Sequence, residues 1–159
     1  MSVMTEREKG LSTDKAGFTL IELLVSIAII GIIFSIVIVY VTNARGRGND
    51  TKVRAQLSRT RSTAELYFSN NNNSYNGSAG NISGPCNTPN SMFTDTASGM
   101  ATYATQANYP TGATLTCHST VSAYAMSAFL PGVGGTNSWC VDSLGNSKAR
   151  DTAINSPAC

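Results

Sequence analysis

Residues 18–42 read FTLIELLVSIAIIGIIFSIVIVYVT, an apolar run that carries a single charge, Glu22. As an α-helix this run spans about 37 Å at roughly 1.5 Å per residue, enough to cross a bilayer with some tilt. A secretory signal fits it poorly, because such a signal has a shorter apolar region and a small-residue cleavage site after the run rather than before it. A carboxylate inside a membrane helix costs on the order of 2.5–3.5 kcal/mol on insertion scales, so Glu22 needs a partner and marks a functional position. The plainer alternative is a chance acid at a helix N-terminus, tolerated there by the macrodipole.

The pattern changes on both sides of the run. Residues 1–17, MSVMTEREKGLSTDKAG, are polar, charged and aperiodic, which predicts a leader or a disordered tail. After Thr42, Val53, Leu57, Ala64 and Tyr67 or Phe68 recur at helical spacing as one apolar stripe, with Lys52, Arg54, Arg59 and Arg61 largely off it. Gly46 and Gly48 lower helix propensity by roughly 1 kcal/mol each relative to Ala. The expectation is one long helix, about residues 18–68, weakest at those glycines. Residues 69–112 are dense in turn formers, with Asn76-Gly77 and Gly84-Pro85, and predict a loop region in which 92–107 admits a short helix. Strand-like segments at 113–119, 121–130 and 138–143, joined by tight loops, predict an antiparallel meander within 113–159. The fold class is therefore α+β. The second half of the long helix should pack on a small sheet, with Val53, Leu57, Ala64, Tyr67 and Phe68 facing Leu115, Val121, Tyr124, Met126, Phe129 and Trp139.

Of 159 residues, those beyond the apolar run are rich in Asn, Ser, Thr, Gly and Ala and can bury only a modest core. All four cysteines, Cys86, Cys117, Cys140 and Cys159, lie in this part, which suggests two disulfides and an oxidising compartment. Three connectivities are open. Cys86–Cys117, tying the loop region to the sheet, and Cys140–Cys159, pinning the C-terminus, are favoured. Neither CxxC nor a zinc-like Cys/His spacing occurs, so neither a metal nor a cofactor is expected. His118 is the lone histidine; a triad with Asp95 or Asp142 lacks a GxSxG elbow, and a structural role is favoured over catalysis.

A net charge of +2 is too small to imply a nucleic-acid partner for the whole chain. Six basic residues (Arg45, Arg47, Lys52, Arg54, Arg59, Arg61) stand against the single acid Asp50 between positions 45 and 61. Such a run can bind DNA or anionic lipid headgroups. A solvated helix face, or pairing with acids of adjacent subunits, is the preferred reading. Asn49, Asn72, Asn76 and Asn81 fit the N-x-[ST] pattern by composition in an Asn/Ser-rich chain. Residues 142–146 (DSLGN) read as a turn in preference to a calcium loop.

The segment KAGFTLIELLV, residues 15–25, resembles the processing and assembly motif of type IV prepilins and the related pseudopilins: a basic residue, Gly, Phe, and Glu as the fifth residue after the Gly. The resemblance implies cleavage between Gly17 and Phe18 by a membrane prepilin peptidase, with Lys15 discarded in a leader of residues 1–17. It also implies N-methylation of Phe18 and pairing of Glu22 with the new Phe18 amine of a neighbouring subunit. Residues 18–44 then form a transmembrane and filament-core helix, and 45–159 an exported head of helix 45–68, loop region 69–112 and sheet 113–159. The implied partners are copies of the same chain, the peptidase, inner-membrane assembly machinery and, before assembly, membrane lipid. DNA or a host surface stays open as a partner without support in the sequence. The implied location is the cytoplasmic membrane with the C-terminal domain outside, then a cell-surface filament.

RGNDTKVRAQLSRTRSTAELYFSNNNNSY extends the resemblance loosely, and SWCVDSLGNSKA is similar to a C-terminal β-hairpin of some bacterial pilins. Unlike many major pilins, this chain has no proline before Pro85 to kink the apolar helix. A plain positive-inside count, with Arg7, Lys9 and Lys15 on one side and the basic run on the other, would leave the C-terminal domain in the cytoplasm. The cysteines and the motif outweigh that count. Three functions follow in order: a structural pilus subunit; a pseudopilin or minor pilin of a type II secretion or competence system; a membrane-anchored exported enzyme.

Overall fold

The computed structural model describes residues 17–132 and 137–159. The leader assigned to residues 1–17 therefore lies, apart from Gly17, outside the described residues. The chain divides into two compact units, Met1–Val39 and Tyr40–Cys159.

Helix α1 runs over Leu20–Asn70. Gly31, Gly46 and Gly48 all lie within it, so the expected weak point at Gly46 and Gly48 does not break the helix. The reason is the anchoring that follows: from Val53 onward, Val53, Leu57, Thr60, Ala64 and Tyr67 are buried at helical spacing, and packing of such a stripe outweighs roughly 1 kcal/mol per glycine. The helix ends as Asn72 and Asn73 turn left-handed, with φ of 52° and 57°. Asn tolerates that conformation better than most residues.

Five strands form one antiparallel meander in sequence order: β1 Ile82–Gly84, β2 Leu115–Ser119, β3 Tyr124–Phe129, β4 Ser138–Asp142 and β5 Ser147–Arg150. The three expected strands are present, each within its expected range. β4 and β5 make the C-terminal hairpin, in the register Cys140 to Lys148. β1 is a correction, since it pairs with β2 from inside the presumed loop region. Between β1 and β2 the chain forms a 3-10 turn at Met92–Thr94, helix α2 (Met100–Ala104) and a second 3-10 turn at Gln106–Asn108.

Alternation along β3 explains how the small sheet is covered on both faces. Tyr124, Met126 and Ala128 join the buried cluster that contains Val53, Leu57, Ala64 and Tyr67 of α1. Ala125, between them, belongs to a second cluster with Cys140 and Ile154, against which Cys159 packs. The tail is tied across this second face, where the Ile154 N–H donates to Ser127 Oγ at 3.2 Å.

The expected core is right for Val53, Leu57, Ala64, Tyr67, Leu115, Tyr124 and Met126, all buried, while Phe68 and Trp139 pack against the core half-buried. Val121 is a correction: it is 59 % exposed. It sits in the tight turn joining β2 to β3, where its carbonyl accepts from the Tyr75 N–H at 3.0 Å. Phe129 is only half-buried at the end of β3. In their place Met92, Phe93 and Met100, from the supposed loop region, are fully or almost fully buried.

Candidate functional site: the N-terminus of α1

Gly17, Phe18 and Thr19 precede the first turn of α1, and Glu22 stands within that turn. Thr19 and Glu22 hold one another. Thr19 Oγ1 accepts from the Glu22 N–H at 3.3 Å, and the Glu22 carboxylate accepts from the Thr19 N–H at 3.3 Å and from the Thr19 hydroxyl at 3.1 Å. This is a capping box, which satisfies helix-end donors that an apolar environment would leave unpaired. Thr19 is the residue that sequence reasoning missed. Its signal was present, because Thr-x-x-Glu before an apolar run is the capping-box spacing.

Every residue from Gly17 to Arg45 is exposed, with Phe18 at 83 % and Val41 still at 40 %. Within this stretch Ser26 Oγ donates to the Glu22 carbonyl and Ser35 Oγ to the Ile32 carbonyl. Both hydroxyls are thus turned back onto the helix, as an apolar surrounding requires. Among the described residues, α1 is the helix long and apolar enough to cross a membrane. A Cβ built at Gly17 meets nothing within 4 Å. Packing among the described residues does not explain glycine there.

The cysteines are joined as Cys86–Cys117 and Cys140–Cys159, the two favoured pairs. The first bridges the segment after β1 to the middle of β2; the second pins the C-terminal residue to β4. Asp142 sits beside the second bridge at the turn into β5. Its carboxylate accepts from the N–H groups of Leu144, Asn146 and Cys159 and from the Asn146 side-chain amide. Burial works against its charged form, but those hydrogen bonds outweigh it and hold the carboxyl below its ordinary range. Asp142 thus organises a turn, and Asp95 accepts from the Ser98 N–H. Neither carboxylate is hydrogen-bonded to His118, which is buried on β2.

The basic run divides. Arg54 lies over the Trp139 ring at 4.6 Å from its centroid, and Arg61 Nη2 donates to the Asn146 carbonyl at 2.6 Å. Arg45, Arg47, Lys52 and Arg59 are exposed.

Residues 12–38 match the prokaryotic N-terminal methylation motif. The chain is also 48 % identical over 56 residues to the type IV wide pilus major component PilA4 of Thermus thermophilus. That stretch covers 35 % of this chain and 43 % of the relative, so the chain spans less than half of the protein it matches. No solved structure matches the chain. That relative is named as a major component of a pilus. With the methylation motif on an apolar α1 and a disulfide-bonded antiparallel sheet, the chain is type IV pilin-like.

Proposed function

We propose that the chain is a structural subunit of a type IV pilus filament. A prepilin peptidase cuts between Gly17 and Phe18, the new Phe18 amine is N-methylated, and the helix of residues 18–44 polymerises with copies of itself. The exposure of that helix carries this reading. Eighteen large apolar side chains between Phe18 and Val41 face outward. At about 1.5–3 kcal/mol for burying each, they amount to roughly 30–50 kcal/mol of unburied surface, more than the whole stability of a domain. Such a helix requires lipid first and a bundle of like helices afterwards. Glycine at a position where packing among the described residues does not demand it fits a residue selected by the peptidase.

On this reading Glu22 changes partners. In the precursor it is satisfied by Thr19; in the filament it pairs with the protonated Phe18 amine of a neighbouring subunit and sets the axial stagger. The precursor sits in the cytoplasmic membrane with the disulfide-bonded unit on the oxidising side, and inner-membrane assembly machinery extracts it into the fibre.

The test is expression beside a prepilin peptidase, with shearing and electron microscopy of the released material. Long filaments rich in this subunit are expected, and a peptidase-null strain should keep the chain in the membrane. Undiminished filaments in that strain would overturn the reading. Short, scarce fibres would place the chain instead among the pseudopilins or minor pilins of secretion or competence systems.

A further inference from the structure

Past the end of α1 lies an open cleft of about 710 Å³ between the Asn-rich loop and the 3-10 turn at Met92–Thr94. Its volume falls within the roughly 300–1,000 Å³ common for small-molecule sites. Its lining is unlike most of them, because all of it except the Tyr67 ring is polar side chain or glycine.

Three observations give the cleft its chemistry. Tyr67 is 4 % exposed, yet its hydroxyl has no hydrogen bond to any described residue and reaches the cleft. The ring is buried while the hydroxyl opens onto the cleft, where it is free to bond a ligand. Gly77, at φ 56°, keeps that hydroxyl open, for a Cβ there would stand 2.0 Å from it. Asn72 and Asn90, both lining the cleft, are held left-handed at φ 52° and 60°. Asn is among the side chains that adopt this conformation most readily, so both turns are held without much strain. Neither side-chain amide is hydrogen-bonded within the described chain. Finally, Asp95 spends one oxygen on the Ser98 N–H at 2.7 Å and keeps the other for the cleft.

Charge and polarity then select the ligand. No Lys, Arg or His lines the cleft, so a phosphate or carboxylate would meet Asp95 with nothing to neutralise it. No group of three or more metal-ligating side chains occurs among the described residues, so a lone carboxylate does not make a cation site. An apolar ligand would strand the free amides. A neutral molecule dense in hydroxyls satisfies every group present, since each hydroxyl both donates and accepts. Burial, then the Asp95 carboxylate, raise the Tyr67 hydroxyl above its ordinary value, so it stays protonated and able to donate.

We propose that this cleft binds a neutral saccharide. The Tyr67 hydroxyl and the Asn72 amide donate to sugar oxygens, and Asp95 accepts from a sugar hydroxyl. The assignment is independent of filament assembly, and its failure would leave the pilin reading untouched.

The test uses the full chain in a detergent without a sugar headgroup, probed by saturation-transfer NMR against neutral hexose and N-acetylhexosamine oligosaccharides. Binding is expected, at least tenfold weaker in Tyr67→Phe, which keeps the ring, and in Asn72→Gly, which keeps the left-handed backbone. Both variants should keep the wild-type Tm. Intact mass identifies the source: a glycan covalently carried by the chain would make it a neighbouring copy, and the bare chain mass would make it external, either one supporting the site. Absence of binding, equal binding by Tyr67→Phe, or preference for anionic sugars would overturn it.

Discussion

Thr19 and Glu22 cap each other at the head of an exposed apolar helix, through three hydrogen bonds of 3.1 to 3.3 Å. The cap and the charge proposed to act in assembly reside in one side chain, and a single substitution separates them. Glu22→Gln keeps the capping-box hydrogen bonds, since Gln serves there as well as Glu, but removes the charge that would meet the Phe18 amine. Helicity and membrane insertion should be unchanged by circular dichroism and fractionation, while sheared filaments fall at least tenfold. Filaments at wild-type yield would mean that the cap alone matters and that charge pairing plays no part.

The two halves of α1 should respond oppositely to the same kind of truncation. Leu57 is fully buried against the sheet, so Leu57→Ala should cost about 2–5 kcal/mol in the unfolding of the sheet-bearing unit. Ile30 is 63 % exposed, so Ile30→Ala should leave that unfolding within about 0.5 kcal/mol of wild type. Its effect should appear instead as filaments that dissociate more readily in detergent.

The disulfides close loops of different length, with sequence separations of 31 for Cys86–Cys117 and 19 for Cys140–Cys159. In the chain-entropy picture these contribute about 3.7 and 3.3 kcal/mol. Replacing both cysteines of either pair by Ser should therefore lower stability in chemical denaturation by roughly 3 kcal/mol. The Cys140→Ser/Cys159→Ser variant should also free the tail, exposing the sheet face of Ala125 and Ile154 to proteolysis after the tail is cut. Wild-type stability in both double variants would contradict the role given to the bridges.

Asp142 gives the sheet-bearing unit an acid sensitivity of definite sign. Its folded carboxyl titrates below the ordinary value. The stability it contributes is complete above the unfolded value and is lost as pH falls through the folded one. Asp142→Asn should be less stable than wild type at pH 7, by about 1–3 kcal/mol for the lost charge-assisted hydrogen bonds. The gap should narrow toward pH 2. A gap that stayed constant over that range would remove Asp142 as its source.

Much of this molecule is legible in its sequence because two signals are long and regular. A largely apolar run of 25 residues marks the first half of α1, and Val53, Leu57, Ala64 and Tyr67 mark its packed face at a period no other element shares. The strands β2, β3 and β4 are short but bounded by turn residues. What was hidden lies where apolar residues stand singly among polar ones. Met92, Phe93 and Met100 have no period to betray them, and β1 has three residues, Ile82–Gly84, inside an Asn/Ser-rich stretch. Only pairing with β2 makes that segment a strand. Val121 misled in the other direction, since alternation placed it on a strand whereas the turn geometry turned it outward. At the site, Glu22 was readable from its charge alone, whereas Thr19 needed the spacing between the two.

Intact-mass and N-terminal peptide spectrometry on the protein recovered from cell envelopes and sheared filaments tests the central claim most directly. The account predicts a chain that begins at Phe18 and carries one methyl group on its amine, with the two disulfides intact. A chain that still holds residues of the leader in both fractions would make the apolar helix a simple membrane anchor, and the filament subunit would be contradicted.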